Sequence, residues 1–179
     1  ILQTTMANKK KVQDNLIDLI SKIGEKITLR RSAFIGKDKF INFSYMHSSL
    51  RQNVGKLGVL LSLETTKPKD MIKDLGKQLA MQVAALSPLA IDKDDLDQKI
   101  LKKEKEIIIE ELKNSGKDTK IVEKITLGKL NKFISENTLL NQEWILEPKK
   151  RVKDILKAVA GKDKIEIKKF IRFKVGEGI

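Results

Sequence analysis

The sequence predicts an α+β protein: an antiparallel sheet of three to four strands packed with helices, with an inserted, projecting helical hairpin of the coiled-coil type. Three observations carry this prediction. Apolar and polar residues alternate over 27–35, 39–47, 56–64 and 164–175, the period of half-buried strands. Apolar residues recur at three- and four-residue spacing near 12–23, 68–86 and 148–160, the period of helices with one covered face. Between Asp92 and Ile134, narrow apolar seams run through charged sequence and are broken once, at Asn114-Ser115-Gly116. Two helices that cover each other and little else have that pattern.

Taken in order, Val12, Leu16, Leu19, Ile20 and Ile23 line a short helix, and Gly24 stands where a left-handed cap stops it. ITLRRSAFI (27–35) and KFINFSYMH (39–47) flank Gly36-Lys37-Asp38 and read as an antiparallel pair. KLGVLLSLE (56–64) supplies a third strand with Leu57, Val59, Leu61 and Leu63 on one face. Pro68 opens a helix whose core stripe is Ile72, Leu75, Leu79, Val83 and Leu86. The first hairpin arm carries Leu96, Ile100, Leu101, Ile107, Ile108 and Leu112; the second carries Ile121, Ile125, Leu130 and Ile134, with Gly128 expected to allow close approach. Trp144-Ile145-Leu146 reads as an exposed apolar run. Glu147 and Pro148 then start a helix with Val152, Ile155, Leu156 and Val159 inward, stopped by Gly161. KIEIKKFIRFKV (164–175) is the fourth strand, with Ile165, Ile167, Ile171, Phe173 and Val175 together on one face.

Composition excludes several kinds of chemistry. The 179 residues contain no Cys, which removes disulfides, thiolate nucleophiles and sulfur-ligated metals and points to a reducing, cytoplasmic compartment. No run of about 18 uncharged apolar residues exists to span a membrane. Six Gly-Lys dipeptides occur, yet none is followed by Ser or Thr and none has Gly five residues earlier. The phosphate cradle and the Mg²⁺ hydroxyl of a P-loop are therefore missing. His47, the single histidine, has no acidic neighbour in sequence to orient it, and Ser48 and Ser49 directly follow it; no catalytic site, metal site or cofactor is expected. The formal net charge is +13, which invites a nucleic-acid partner. However, Lys outnumbers Arg 32 to 5 and the aromatics total eight. Both facts disfavour bidentate phosphate recognition and base stacking, so no specific nucleic acid is expected.

"LISKIGEKITLRR", "SYMHSSLRQNVGKLGVLLSLE", "LAMQVAALSPLAI", "GKLNKFISENTLLNQEWILEP" and "FIRFKVGEGI" resemble bacterial elongation factor Ts, in order and over nearly the whole chain. The resemblance implies guanine nucleotide exchange on elongation factor Tu: binding of its GDP form, loosening of the Mg²⁺ and phosphate site and release of GDP, with no covalent step. It implies a helical remnant of the first core half at 1–24, an α+β core at 25–91 and 136–179, and the inserted hairpin at 92–135. A homodimer or a 2:2 complex is the assembly it suggests. The family's contacts to the third domain of elongation factor Tu fall here on His47, Ile145 and Leu146. The stretch from Ser48 to Lys56 is expected as a long loop. The family's N-terminal module and its Thr-Asp-Phe-Val loop do not occur in these residues; Glu64-Thr65-Thr66 is only a distant counterpart of the loop, without Asp-Phe. The chain is thus expected to be a fragment, the core and dimerisation region, that binds more than it exchanges. The alternative is a basic ribosomal or RNA-binding module, which a steep salt dependence of RNA affinity would reveal. An enzyme would require a Ser or carboxylate partner for His47 in the fold.

Overall fold

The computed structural model describes residues 1–36, 39–113 and 118–178. The Asn114-Ser115-Gly116 break and most of the Gly36-Lys37-Asp38 turn lie outside the described residues. The chain divides into two compact units, Ile1–Phe34 and Ile35–Ile179.

In the first unit, α1 spans Val12–Ile23. The preceding residues fold back on it: the Val12 N–H donates to the Thr4 carbonyl and the Gln13 N–H to the Leu2 carbonyl, each at 3.0 Å. Donors that a helix start leaves unpaired are thereby satisfied. Gly24, at φ 72°, ends the helix and donates to the Ile20 carbonyl. Residues 27–35 form no strand, so the expected first strand is absent. Alternation defines a face but does not by itself make a ladder. Here the sheet begins only at Ile41.

In the second unit, β1 (Ile41–Arg51), β2 (Val54–Thr65) and β3 (Ile165–Lys174) form an antiparallel sheet in that order. Leu57, Val59, Leu61 and Leu63 are buried on one face, as their spacing predicts. Cross-strand pairing places Ile41, Phe43, Tyr45 and His47 of β1 on the same face. Ser48 to Lys56 is not a long loop: the two strands continue through it to a two-residue turn, Gln52-Asn53. Asn53 there adopts φ 61°, a left-handed conformation that Asn tolerates better than most residues.

The facing predicted for β3 needs a correction. Ser62 pairs with Lys169 but Leu63 pairs with Ile167, so Lys168 is an extra residue, a β-bulge. The bulge changes the phase of the alternation. Ile165 and Ile167 are buried with the core, but beyond the bulge Phe170 and Arg172 take the inner face, opposite Leu61 and Val59. Ile171 and Phe173 pair with Leu60 and Gly58 on the other face.

Pro68 begins a single 3₁₀ turn (Lys69–Ile72) that leads into α2, Lys73–Leu86. Ile72, Leu75, Leu79 and Val83 are buried against the sheet, whereas Leu86 is exposed. Farther along lie α3 (Gln98–Lys113), α4 (Thr119–Asn137) and α5 (Val152–Ala160). α3 and α4 pack on one another, with Glu111 and Lys129 paired across them at 2.6 Å. Of the predicted seam, Leu96, Ile108 and Leu112 are buried, while Ile107 and Ile121 are exposed. Gly128 does not provide a close approach: a Cβ there would meet no atom within 4 Å. The residues on either side of this pair are zipped together, because the Leu89 N–H donates to the Asn137 carbonyl and the Leu139 and Leu140 N–H groups donate to those of Ala90 and Ile91, at 2.8 to 2.9 Å. α5 starts at Val152, later than Glu147-Pro148 suggests. Asp154 accepts from the Arg151 N–H at its start, and Gly161 follows its end at φ 63°.

Candidate partner-binding surface

His47 lies within β1, paired with Leu57 of β2, and its side chain is exposed. Its Nδ1 is 3.1 Å from the hydroxyl of Tyr45, the residue two positions earlier and so on the same face of the strand. The serines that follow do not form a hydrolytic pair with it. The Ser49 hydroxyl donates to its own strand's backbone, at the Arg51 carbonyl, at 2.7 Å. Ser48, at φ 51°, stands just before the point where the β1–β2 register shifts.

Trp144, Ile145 and Leu146 have three different environments. Trp144 is not exposed, contrary to expectation: only 3% of its surface is accessible and it belongs to the main core. Ile145 is half-buried, and Leu146 is 51% exposed. The segment is a closed turn. The Trp144 N–H donates to the Lys150 carbonyl at 2.8 Å, and the Glu147 N–H donates back to the Trp144 carbonyl at 3.1 Å. A large indole buried at its root fixes where the next two side chains emerge.

Gln82 holds that turn to α2. Its side chain is fully buried; the amide donates to the Glu143 carbonyl at 2.9 Å and to Gln142 Oε1 at 3.3 Å, while its own Oε1 accepts from the Ile145 N–H at 3.0 Å. Gln142, also buried, donates to the carbonyl of Glu136 at 2.8 Å. Two buried amides thus have their donors and acceptors engaged, the condition under which a polar group is tolerated in a core. Because α2 also packs on β1, one helix supports both the strand that carries His47 and the turn that carries Ile145 and Leu146. Sequence reasoning did not pick out Gln82. A polar residue interrupting the Leu79–Val83 stripe was the available signal.

At the other end of the sheet from His47, surface charges are paired. Lys168, at the bulge, reaches Glu64 at 2.8 Å and Glu166 at 3.2 Å, and the hydrogen bond it donates to Glu64 leads in holding its ammonium above its ordinary range. Asp163 accepts from Lys67 at 2.9 Å and from the Thr66 hydroxyl at 3.1 Å. These bonds, Lys67 first, hold its carboxyl below the usual carboxylate range. Among the described residues, no three His, Asp or Glu side chains converge as metal ligands would, and no helix is long and apolar enough to cross a membrane.

A three-stranded antiparallel sheet backed by helices defines an α+β protein. The family model described as "Elongation factor TS" matches residues 1–177. The chain belongs to the elongation factor Ts family. It is 41% identical over 171 residues to elongation factor Ts of Zymomonas mobilis subsp. mobilis, covering 94% of this chain and 55% of that one. It is 38% identical over 168 residues to that of Gluconobacter oxydans, covering 94% and 54%. With that of Nitrobacter hamburgensis the identity is 36% over 181 residues, covering 100% and 59%. The chain thus spans a little over half the length of these curated relatives.

Proposed function

We propose that the chain serves translation elongation in the cytoplasm as a guanine nucleotide exchange factor for elongation factor Tu. It meets the GDP form through protein–protein contact and performs no covalent chemistry. The observation that carries this reading is the family match across residues 1–177. His47, Ile145 and Leu146 are the contact residues. What supports them is the exposure of His47 and Leu146 on elements fixed by α2 and by the buried Trp144. Residues 92–135 are a separate inserted unit, and a homodimer or a 2:2 complex with the GTPase is the assembly.

Residues 1–179 alone bind elongation factor Tu more than they exchange its nucleotide. They contain no Asp-Phe sequence, which in the family is the wedge that prefers the opened Mg²⁺ and phosphate site. Contacts made equally to both states of the GTPase add affinity without shifting the balance between them. Release of a fluorescent GDP analogue from elongation factor Tu, with and without the chain, tests the reading. The net charge of +13 favours a second reading, a basic RNA-binding module. It requires an RNA affinity that falls steeply with salt.

A further inference from the structure

We infer that Tyr45 is a positioning residue for His47: its hydroxyl holds Nδ1, so that the ring offers Nε2–H to a hydrogen-bond acceptor on the partner. This rests on the reading of His47 as a partner contact. The geometry is local and specific. The hydroxyl and Nδ1 are 3.1 Å apart, and the two rings stand 6.1 Å apart, tilted by 34°. Tyr45 is half-buried and packs against the main core, whereas His47 is exposed. The anchored ring therefore restrains the free one, lowering the ordering cost that an exposed imidazole would otherwise pay on binding.

The chemistry assigns the proton. A neutral imidazole has one nitrogen that donates and one that accepts, and the bond made by one fixes the role of the other. A phenolic O–H is a strong donor and its oxygen a weak acceptor, so Tyr45 donates to the lone pair of Nδ1. The ring proton then resides on Nε2. In the imidazolium both nitrogens donate and the phenolic oxygen accepts from Nδ1. Nε2 is thus a donor in either state, and the group opposite it is a backbone carbonyl or a carboxylate rather than Lys or Arg. Ser49 does not compete for the ring, since its hydroxyl is turned to the backbone.

The test uses the single histidine of the chain, which makes ¹⁵N NMR of the imidazole unambiguous. In the parent chain the neutral ring is expected as the Nε2–H tautomer with Nδ1 hydrogen-bonded. In Tyr45→Phe, the Nδ1 resonance should move to that of an unbonded acceptor while the melting temperature stays close to the parent's. Binding to elongation factor Tu should weaken about 3- to 10-fold, the effect of one lost hydrogen bond, and His47→Gln, which keeps a donor, should bind more tightly than His47→Ala. A parent ring found as the Nδ1–H tautomer, or an Nδ1 resonance unchanged in Tyr45→Phe, overturns the proposal. Equal affinity of parent and Tyr45→Phe overturns the positioning role while leaving the exchange-factor reading intact. A parent chain that does not bind elongation factor Tu at all overturns that reading, and with it the partner half of this proposal.

Discussion

Gly76 of α2 lies directly against the ring of Phe43 on β1, so close that a Cβ at position 76 would overlap the ring carbons. The helix that holds both parts of the candidate surface is seated on the sheet at this point. Phe43 is itself buried and has little room to withdraw. Gly76→Ala should therefore destabilise the fold by roughly 1–2 kcal/mol net: overpacking costs about 1–3 kcal/mol, and the better helix propensity of Ala returns up to about 1. Urea unfolding measures this. Combining it with Phe43→Leu should make the two effects non-additive, because one relieves the other.

Leu146 and Trp144 should separate cleanly. Leu146 is exposed at the turn, and Leu146→Ala should leave the unfolding midpoint nearly unchanged while lowering affinity for elongation factor Tu. An anchor at an interface centre contributes on the order of 1–3 kcal/mol. Trp144→Ala removes a core ring and should cost about 3–5 kcal/mol of stability. If the triple variant His47→Ala, Ile145→Ala, Leu146→Ala binds as tightly as the parent, these residues are not the contact surface.

Residues 98–133 should be removable. The buried residues of α3, Ile108 and Leu112, lie outside the core cluster around the sheet, and the hydrogen bonds between 89–91 and 137–140 stay in the chain. A Gly/Ser linker in place of 98–133 should therefore preserve a single cooperative thermal transition. Loss of cooperativity would show that the sheet needs the helical pair.

Asp163 links the end of β2 to the turn before β3 through Thr66 and Lys67. Its carboxyl is held below its ordinary range, so the unfolded chain binds its proton more readily than the folded one. The stabilisation is thus complete above the ordinary carboxylate range and is lost as pH falls through the folded value. Asp163→Asn should lower the urea midpoint near pH 7 and converge on the parent as the pH falls below the folded value. A constant difference across that window would mean the side chain acts by packing alone.

The readability of the sequence varied with how local the controlling interactions are. Leu57 to Leu63 and Ile72 to Val83 were legible because each residue's own spacing names its face. The bulge at Lys168 was not. The alternation of KIEIKKFIRFKV falters at Lys168-Lys169-Phe170-Ile171, but only pairing with Ser62 and Leu63 shows that the phase slips there. Trp144 belongs to the main core, and nothing in the residues beside it, Glu143, Ile145 and Leu146, signals that burial. Residues 27–35 have the alternation of a strand but form none. For the surface itself, His47, Ile145 and Leu146 were reached by resemblance. Tyr45 and Gln82, which orient them, became visible only once the chain was folded.

The central claim is that these residues grip elongation factor Tu without driving nucleotide release. Stopped-flow release of a fluorescent GDP analogue, at concentrations of the chain that saturate independently measured binding, tests it most directly. The account predicts saturable binding with release close to the spontaneous rate. Acceleration comparable to that produced by a full-length elongation factor Ts would contradict it, and would place the exchange machinery within residues 1–179.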